Sequence, residues 1–153
     1  MLTQVLNRSG FFYCAETILQ KIKEEKSNAF IIFLDIDSLK SVNDNLGHEI
    51  GDAFIAKIAG ILKEVVPKDC LIMRYGGDEF VVFGSCKQAG RMQRIAEDIK
   101  AAIKTADQKE NRSYHLAASL GCSLHKSYEM DNLNSLIELA DKKMYEEKKN
   151  KRR

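Results

Sequence analysis

A chain of 153 residues with 44% apolar and 30% charged residues and a single proline has the size and composition of one globular domain. Disorder, collagen-like repeats and long coiled coils are excluded by that composition. Lys and Arg number 24 against 22 Asp and Glu, and a net charge of +2 is too small to argue by itself for a nucleic-acid partner.

Near the start, Asn7 or Ser9 is placed to cap a helix in which Phe12, Ile18, Leu19 and Ile22 recur at roughly helical spacing, and the charged run Lys23 to Lys26 ends it. The apolar run Ala29 to Leu34, bounded by Asn28 and Asp35, predicts a fully buried strand. A short helix near Leu39 and a turn carrying Asn43, Asp44, Asn45 and Gly47 come next. From Glu49, the residues Phe54, Ile55, Ile58, Ile61, Leu62 and Val65 keep helical periodicity up to Pro67, whose missing N–H helps end the helix.

Leu71 to Tyr75 and Phe80 to Phe83 flank Gly76 and Gly77 and predict a two-residue hairpin. A helix over about Gln88 to Lys104, a strand over about Tyr114 to Leu124 and a helix over about Leu133 to Lys148 complete the order. Without the first and last helices that order is βαββαβ. It predicts an α+β, ferredoxin-like domain, an antiparallel sheet flanked by helices, as in palm-type polymerases and nucleotide cyclases.

The longest apolar run, Ala29 to Leu34, has six residues against the roughly 20 that a membrane-spanning helix needs, and Met1 to Gly10 shows no secretion signal. Cys14, Cys70, Cys86 and Cys122 form no Cys-x-x-Cys pair, so they point to neither a zinc site nor a redox motif. They read as small buried hydrophobes in a reducing cytoplasm.

The predicted topology makes the first and third strands antiparallel neighbours. Asp35, ending the first, then lies beside Asp78 and Glu79, which begin the third. Carboxylates gathered at a sheet edge repel one another unless one is protonated or a cation sits between them, and all-oxygen ligands select a hard ion such as Mg²⁺. The alternative is a hairpin of solvated acids. No Walker A and no Gly-x-Gly-x-x-Gly pattern occurs, so a nucleotide needs another scheme. Two magnesium ions gripping a triphosphate at a strand end supply one. The basic end, Lys142 to Arg153, offers Lys148 and Arg152 one helical turn apart as phosphate contacts, or is a frayed, solvated tail.

Arg74-Tyr75-Gly76-Gly77-Asp78-Glu79-Phe80 resembles the signature of the GGDEF domains, the bacterial diguanylate cyclases. The likeness covers essentially the whole chain. Leu2-Thr3 with Leu6-Asn7-Arg8 resembles the family's N-terminal motif, and Asp35-Ile36-Asp37-Ser38-Leu39-Lys40 its Asp-x-Asp-x-Phe-Lys. Asn43-Asp44, Gly47-His48 and Gly51-Asp52 follow at the family's spacing. Ser119-Leu120-Gly121 is similar to the last strand, and Ala140-Asp141, Met144-Tyr145 and Lys148 to the final helix.

The resemblance implies condensation of two GTP molecules, one on each of two facing domains, into cyclic di-GMP and two pyrophosphates. Carried over by position, Asp35, the carbonyl of Ile36, Asp78 and Glu79 hold Mg²⁺ or Mn²⁺, two ions per active site, and Asp78 and Glu79 are the catalytic residues, Asp78 as general base. Asp37 is either an N-cap or a support behind the ligands. Asn43 and Asp52 match the guanine-reading pair, and His48 lies next to the nucleotide. Leu39, Lys40, Lys148 and Arg152 approach the phosphates; Arg74, Gly76 and Gly77 also belong to the substrate-binding set, and Arg74 organises the signature hairpin or pairs with a nearby acid.

The family's product-inhibition motif, Arg-x-x-Asp, is replaced here by Pro67-Lys68-Asp69-Cys70, so no inhibition through that site is expected. Lesser departures are Gln4 for Gly, Leu39 for Phe and Lys151 for the Gly before Arg152. The expectation is a single domain over residues 1–153 from a longer signalling protein with a fused sensor or dimerisation domain. Its expected setting is the cytoplasm, or the cytoplasmic part of a membrane-bound sensor, without nucleic-acid or membrane contact of its own. A GTP-binding regulatory module with little turnover is the competing function.

Overall fold

The central strand β1, Asn28–Ile36, is buried along nearly its whole length because both faces of the sheet are covered. The computed structural model describes residues 2–3, 5–110, 113–126 and 132–152. Its elements are α1 (Arg8–Glu25), β1, α2 (Leu39–Leu46), α3 (His48–Val65), β2 (Leu71–Arg74), β3 (Glu79–Cys86), α4 (Arg91–Lys109), β4 (Ala118–His125) and α5 (Leu133–Lys151). The strands pair in the order β2-β3-β1-β4, all antiparallel, which is the ferredoxin-like arrangement the sequence predicts.

Alternate residues of β1 feed two cores. Phe30, Ile32, Leu34 and Ile36 pack with Phe54 and Ile58 of α3 and Ile95 and Ile99 of α4. Ala29, Ile31 and Phe33 pack with Phe11 and Ala15 of α1 and Ile137, Ala140 and Met144 of α5. This double burial is why the strand reads as an unbroken apolar run rather than an alternating one.

Asn7 caps α1, its Oδ1 accepting from the Gly10 N–H at 2.8 Å. Three expectations need correction. The residues Asn43 to Asn45 are not a turn but part of α2, held by the buried Leu39 and Val42; the Asn45 amide satisfies itself on the Ser41 carbonyl at 2.8 Å. The chain reverses instead at Gly47, whose φ of +89° suits glycine. The hairpin is longer than two residues: Tyr75 to Asp78 connect the strands, and neither Gly76 nor Gly77 takes the positive φ of a primed turn. Finally, β4 starts at Ala118 rather than near Tyr114.

The outer edge of β2 is covered. Leu6 bridges to Met73 on the outer side of β2. On the face that carries Phe33, α5 lies so close to β4 that a Cβ at Gly121 would come within 2.1 Å of the Ala140 oxygen and the Met144 nitrogen. Glycine at that position therefore sets the distance between α5 and the sheet.

Candidate active site

The site is built by strand register. Asp35 pairs directly with Glu79 across β1 and β3, and both belong to the odd-numbered face that looks toward α5. The Ile36 N–H donates to the Asp78 carbonyl at 2.9 Å, which ties the signature loop to the end of β1. Asp35, Asp78 and Glu79 each bring one carboxylate oxygen within 4.8 Å of the others.

The loop geometry favours that convergence. A Cβ at Gly76 would lie 2.3 Å from Glu79 Oε2, so glycine there makes room for the carboxylate. Arg74 donates from Nε and Nη2 to the Gly77 carbonyl at 3.3 and 2.7 Å, holding the loop from behind. The Arg8 guanidinium sits 4.2 Å over the Tyr75 ring, and Tyr75 meets Phe33 edge-on at 5.3 Å, which anchors the loop's first residue to the core.

Three acids this close carry an electrostatic cost. Burial pushes the Asp35 carboxyl above the ordinary carboxylate range; the Lys148 hydrogen bond opposes this, and the charges of Asp78 and Asp37 add to it. Glu79 is raised by burial first and then by Asp35, Asp78 and Asp141. The donors are all oxygen, as a hard divalent cation requires, and Lys148 already places a positive charge among them, its Nζ lying 2.6 Å from Asp35 Oδ1. The residues therefore fit a cation of the Mg²⁺ class.

Asp37 does not cap α2. Ser38 occupies the cap position, while Asp37 Oδ1 accepts from Ser119 Oγ at 2.7 Å and Oδ2 from Lys151 Nζ at 2.9 Å. The carboxylate thus links β1, β4 and α5 behind the acidic cluster.

The remaining candidates lie on α2, on α3 and just after α5. Leu39 and Lys40 open α2, the first buried in the core and the second exposed, so Leu39 offers a ligand only its backbone. His48 and Asp52 are exposed on the first turns of α3. Asn43 Oδ1 is buried with no hydrogen-bond partner among the described residues, and it lies where a Cβ on Gly51 would come within 1.7 Å. Arg152 is exposed just after α5. In the Pro67–Cys70 turn, Asp69 is paired with Arg91 at 2.7 Å, and burial pushes the Cys70 thiol up to about 11.

Sequence reasoning missed Lys151 and Glu147. Lys151 also donates to the Ala118 carbonyl at 2.7 Å, and Glu147 accepts from the outward Leu120 N–H and from Lys100. A signal existed: Asp-x-Asp at a strand end and Lys-x-x-Lys on the facing helix match as two ion pairs. No helix among the described residues is long and apolar enough to cross a membrane.

Comparison with known proteins gives a consistent picture. The family described as "Diguanylate cyclase, GGDEF domain" matches residues 1–153. The chain is 31% identical over 130 residues to diguanylate cyclase A of Treponema denticola, covering 84% of this chain and 35% of that protein. It is 36% identical over 120 residues to diguanylate cyclase VdcA of Vibrio cholerae, covering 77% of this chain and 35% of the relative. The chain thus spans about a third of the length of these relatives. Among solved structures, the GGDEF domain of DgcB from Caulobacter crescentus in complex with c-di-GMP superposes with a TM-score of 0.85 at 26% identity, covering 98% of this chain and 89% of that one.

Proposed function

We propose, for a chain that belongs to the GGDEF family of diguanylate cyclase domains, that it condenses two GTP molecules into cyclic di-GMP and two pyrophosphates. The observation that carries this reading is the Asp35 to Glu79 register, which with Asp78 converges three carboxylates on one point. A second copy of the domain faces the first, each presenting one bound GTP. Each 3′-oxygen bonds to the other nucleotide's α-phosphorus as that phosphorus releases pyrophosphate.

Asp35, Asp78, Glu79 and the Ile36 carbonyl would hold Mg²⁺ or Mn²⁺, two ions per site. Bound there, such a cation neutralises the triphosphate and acidifies the attacking hydroxyl. Asp78, at the mouth of the loop, takes the 3′-hydroxyl proton. Arg74, Gly76 and Gly77 keep the loop in the shape that places it. Lys148 and Arg152 hold phosphate oxygens from the α5 side, and the backbone of Leu39 and the side chain of Lys40 do so from the start of α2.

Guanine is read by Asp52, accepting from N1–H and N2–H₂, and by the Asn43 amide, with His48 alongside. Adenine has no N1 hydrogen and would leave Asp52 unpaired at a cost of about 1–3 kcal/mol. A fused sensor or dimerisation domain brings the two copies together in the longer protein, which acts in the cytoplasm or on the cytoplasmic side of a membrane. Pro67 and Cys70 leave product without the Arg and Asp contacts of an inhibitory site.

The test is incubation of concentrated protein with GTP and Mg²⁺, as it is and fused to a dimerising helix, with products identified by mass. Cyclic di-GMP from the parent and none from Asp78→Ala supports the reading. GTP binding without product, even from the fused dimer, contradicts it in favour of a regulatory module.

A further inference from the structure

The ion pair between Lys148 and Asp35 engages one of the three carboxylates that would hold the proposed cation. Lys148 Nζ lies 2.6 Å from Asp35 Oδ1, and the two side chains are only 19% and 11% exposed. The ammonium has no other hydrogen-bond partner among the described residues. Its neighbours on the same helix are anchored elsewhere. Glu147 is tied to the Leu120 N–H and to Lys100, and Lys151 to Asp37 and the Ala118 carbonyl. The end of α5 is therefore fixed by residues 147 and 151, and Lys148 can change partner without the helix moving.

We propose that Lys148 is an exchangeable counter-cation: it neutralises Asp35 while the acidic centre holds no metal, and passes to the nucleotide's phosphates when a divalent cation takes its place. The inference rests on the cation centre of the proposed function. An ammonium and a divalent ion cannot share one buried carboxylate oxygen without strong repulsion, because a ligated metal lies about 2.0–2.1 Å from that oxygen. Metal arriving alone on the Asp35 carboxylate repels Lys148, with nothing to receive the ammonium. Metal arriving with a triphosphate gives Lys148 a new anionic partner at once. Metal and nucleotide then bind cooperatively, and Lys148 is the residue that couples them. Lys151 is a positioning residue that keeps α5 in place during the exchange.

The coupling is read by titrating the chain with Mn²⁺, following free Mn²⁺ by electron paramagnetic resonance. One series has no nucleotide and the other has a GTP analogue carrying a methylene between the α and β phosphorus atoms. Lys148→Met should bind Mn²⁺ alone about tenfold more tightly than the parent and lose about tenfold of the enhancement given by nucleotide, within the usual range of coupling between sites. Lys148→Arg, which keeps a cation, should restore weak binding of Mn²⁺ alone. Unchanged or weaker Mn²⁺ binding by Lys148→Met would overturn the exchange and leave the cation centre intact, whereas no Mn²⁺ binding by any form would overturn the centre itself. If the Met variant does not fold, the Lys148 ammonium ¹⁵N resonance of the parent decides. It should move on addition of Mg²⁺ alone, and a signal unmoved at saturating Mg²⁺ overturns the proposal.

Discussion

Asp35 and Glu79 face each other across two antiparallel strands, 44 positions apart in the chain and directly paired in the sheet. Like charges set opposite one another on one sheet face are destabilising. Lys148 offsets the charge of Asp35, but Asp78 and Glu79 still repel it and each other unless a further cation joins them, so an acidic cluster at this end of the central strands works against stability.

Stability without metal should therefore fall as pH rises. The Glu79 carboxyl is raised above its ordinary value of 4.5. The folded state then holds this proton more tightly than the unfolded state does, and the favourable contribution is complete below about 4.5. It is lost as pH rises through the higher folded value. Glu79→Gln cannot lose it. In EDTA at pH 7 the variant should melt above the parent, and the difference should shrink toward pH 4; thermal melts across this range check the sign.

Two glycine substitutions should separate site from scaffold. At Gly76 the atom in the way is Oε2 of Glu79, the far end of a flexible side chain. Gly76→Ala should therefore cost little stability and weaken cation binding by displacing Glu79. At Gly121 the obstruction is the backbone of α5, namely the Ala140 oxygen and the Met144 nitrogen. Gly121→Ala should destabilise by about 1–3 kcal/mol, the usual range for overpacking. Denaturant unfolding and Mn²⁺ titration of both variants test the contrast.

Asp52 should set base preference. Asp52→Asn should lower affinity for GTP by about tenfold to a hundredfold, the equivalent of about 1–3 kcal/mol from an unpaired polar group, and narrow the preference over ATP. Competition binding with the two nucleotides reads the ratio. Equal losses for both would place Asp52 outside base reading.

Much of this was legible in the residues. The buried run Ala29 to Leu34 and the order of elements fixed which strands are neighbours, and hence that Asp35 meets Glu79. The short α2 was less legible because Asn, Asp and Gly favour turns locally, whereas burial of Leu39 and Val42 decides for helix. Adjacent Gly76 and Gly77 predict a two-residue hairpin, but neither takes a positive φ, and Gly76 instead gives room to the Glu79 carboxylate. The contacts of Glu147 and Lys151 depend on how closely α5 approaches β4, a distance set by tertiary packing at Gly121 and not by local pattern.

The central claim is that these carboxylates form one cation centre, and anomalous diffraction from crystals grown with Mn²⁺ and the methylene GTP analogue tests it most directly. The account predicts manganese peaks bounded by Asp35, the Ile36 carbonyl, Asp78 and Glu79, with the Lys148 ammonium turned onto the phosphates. Manganese bound only through the phosphates, with Lys148 still on Asp35, would contradict it.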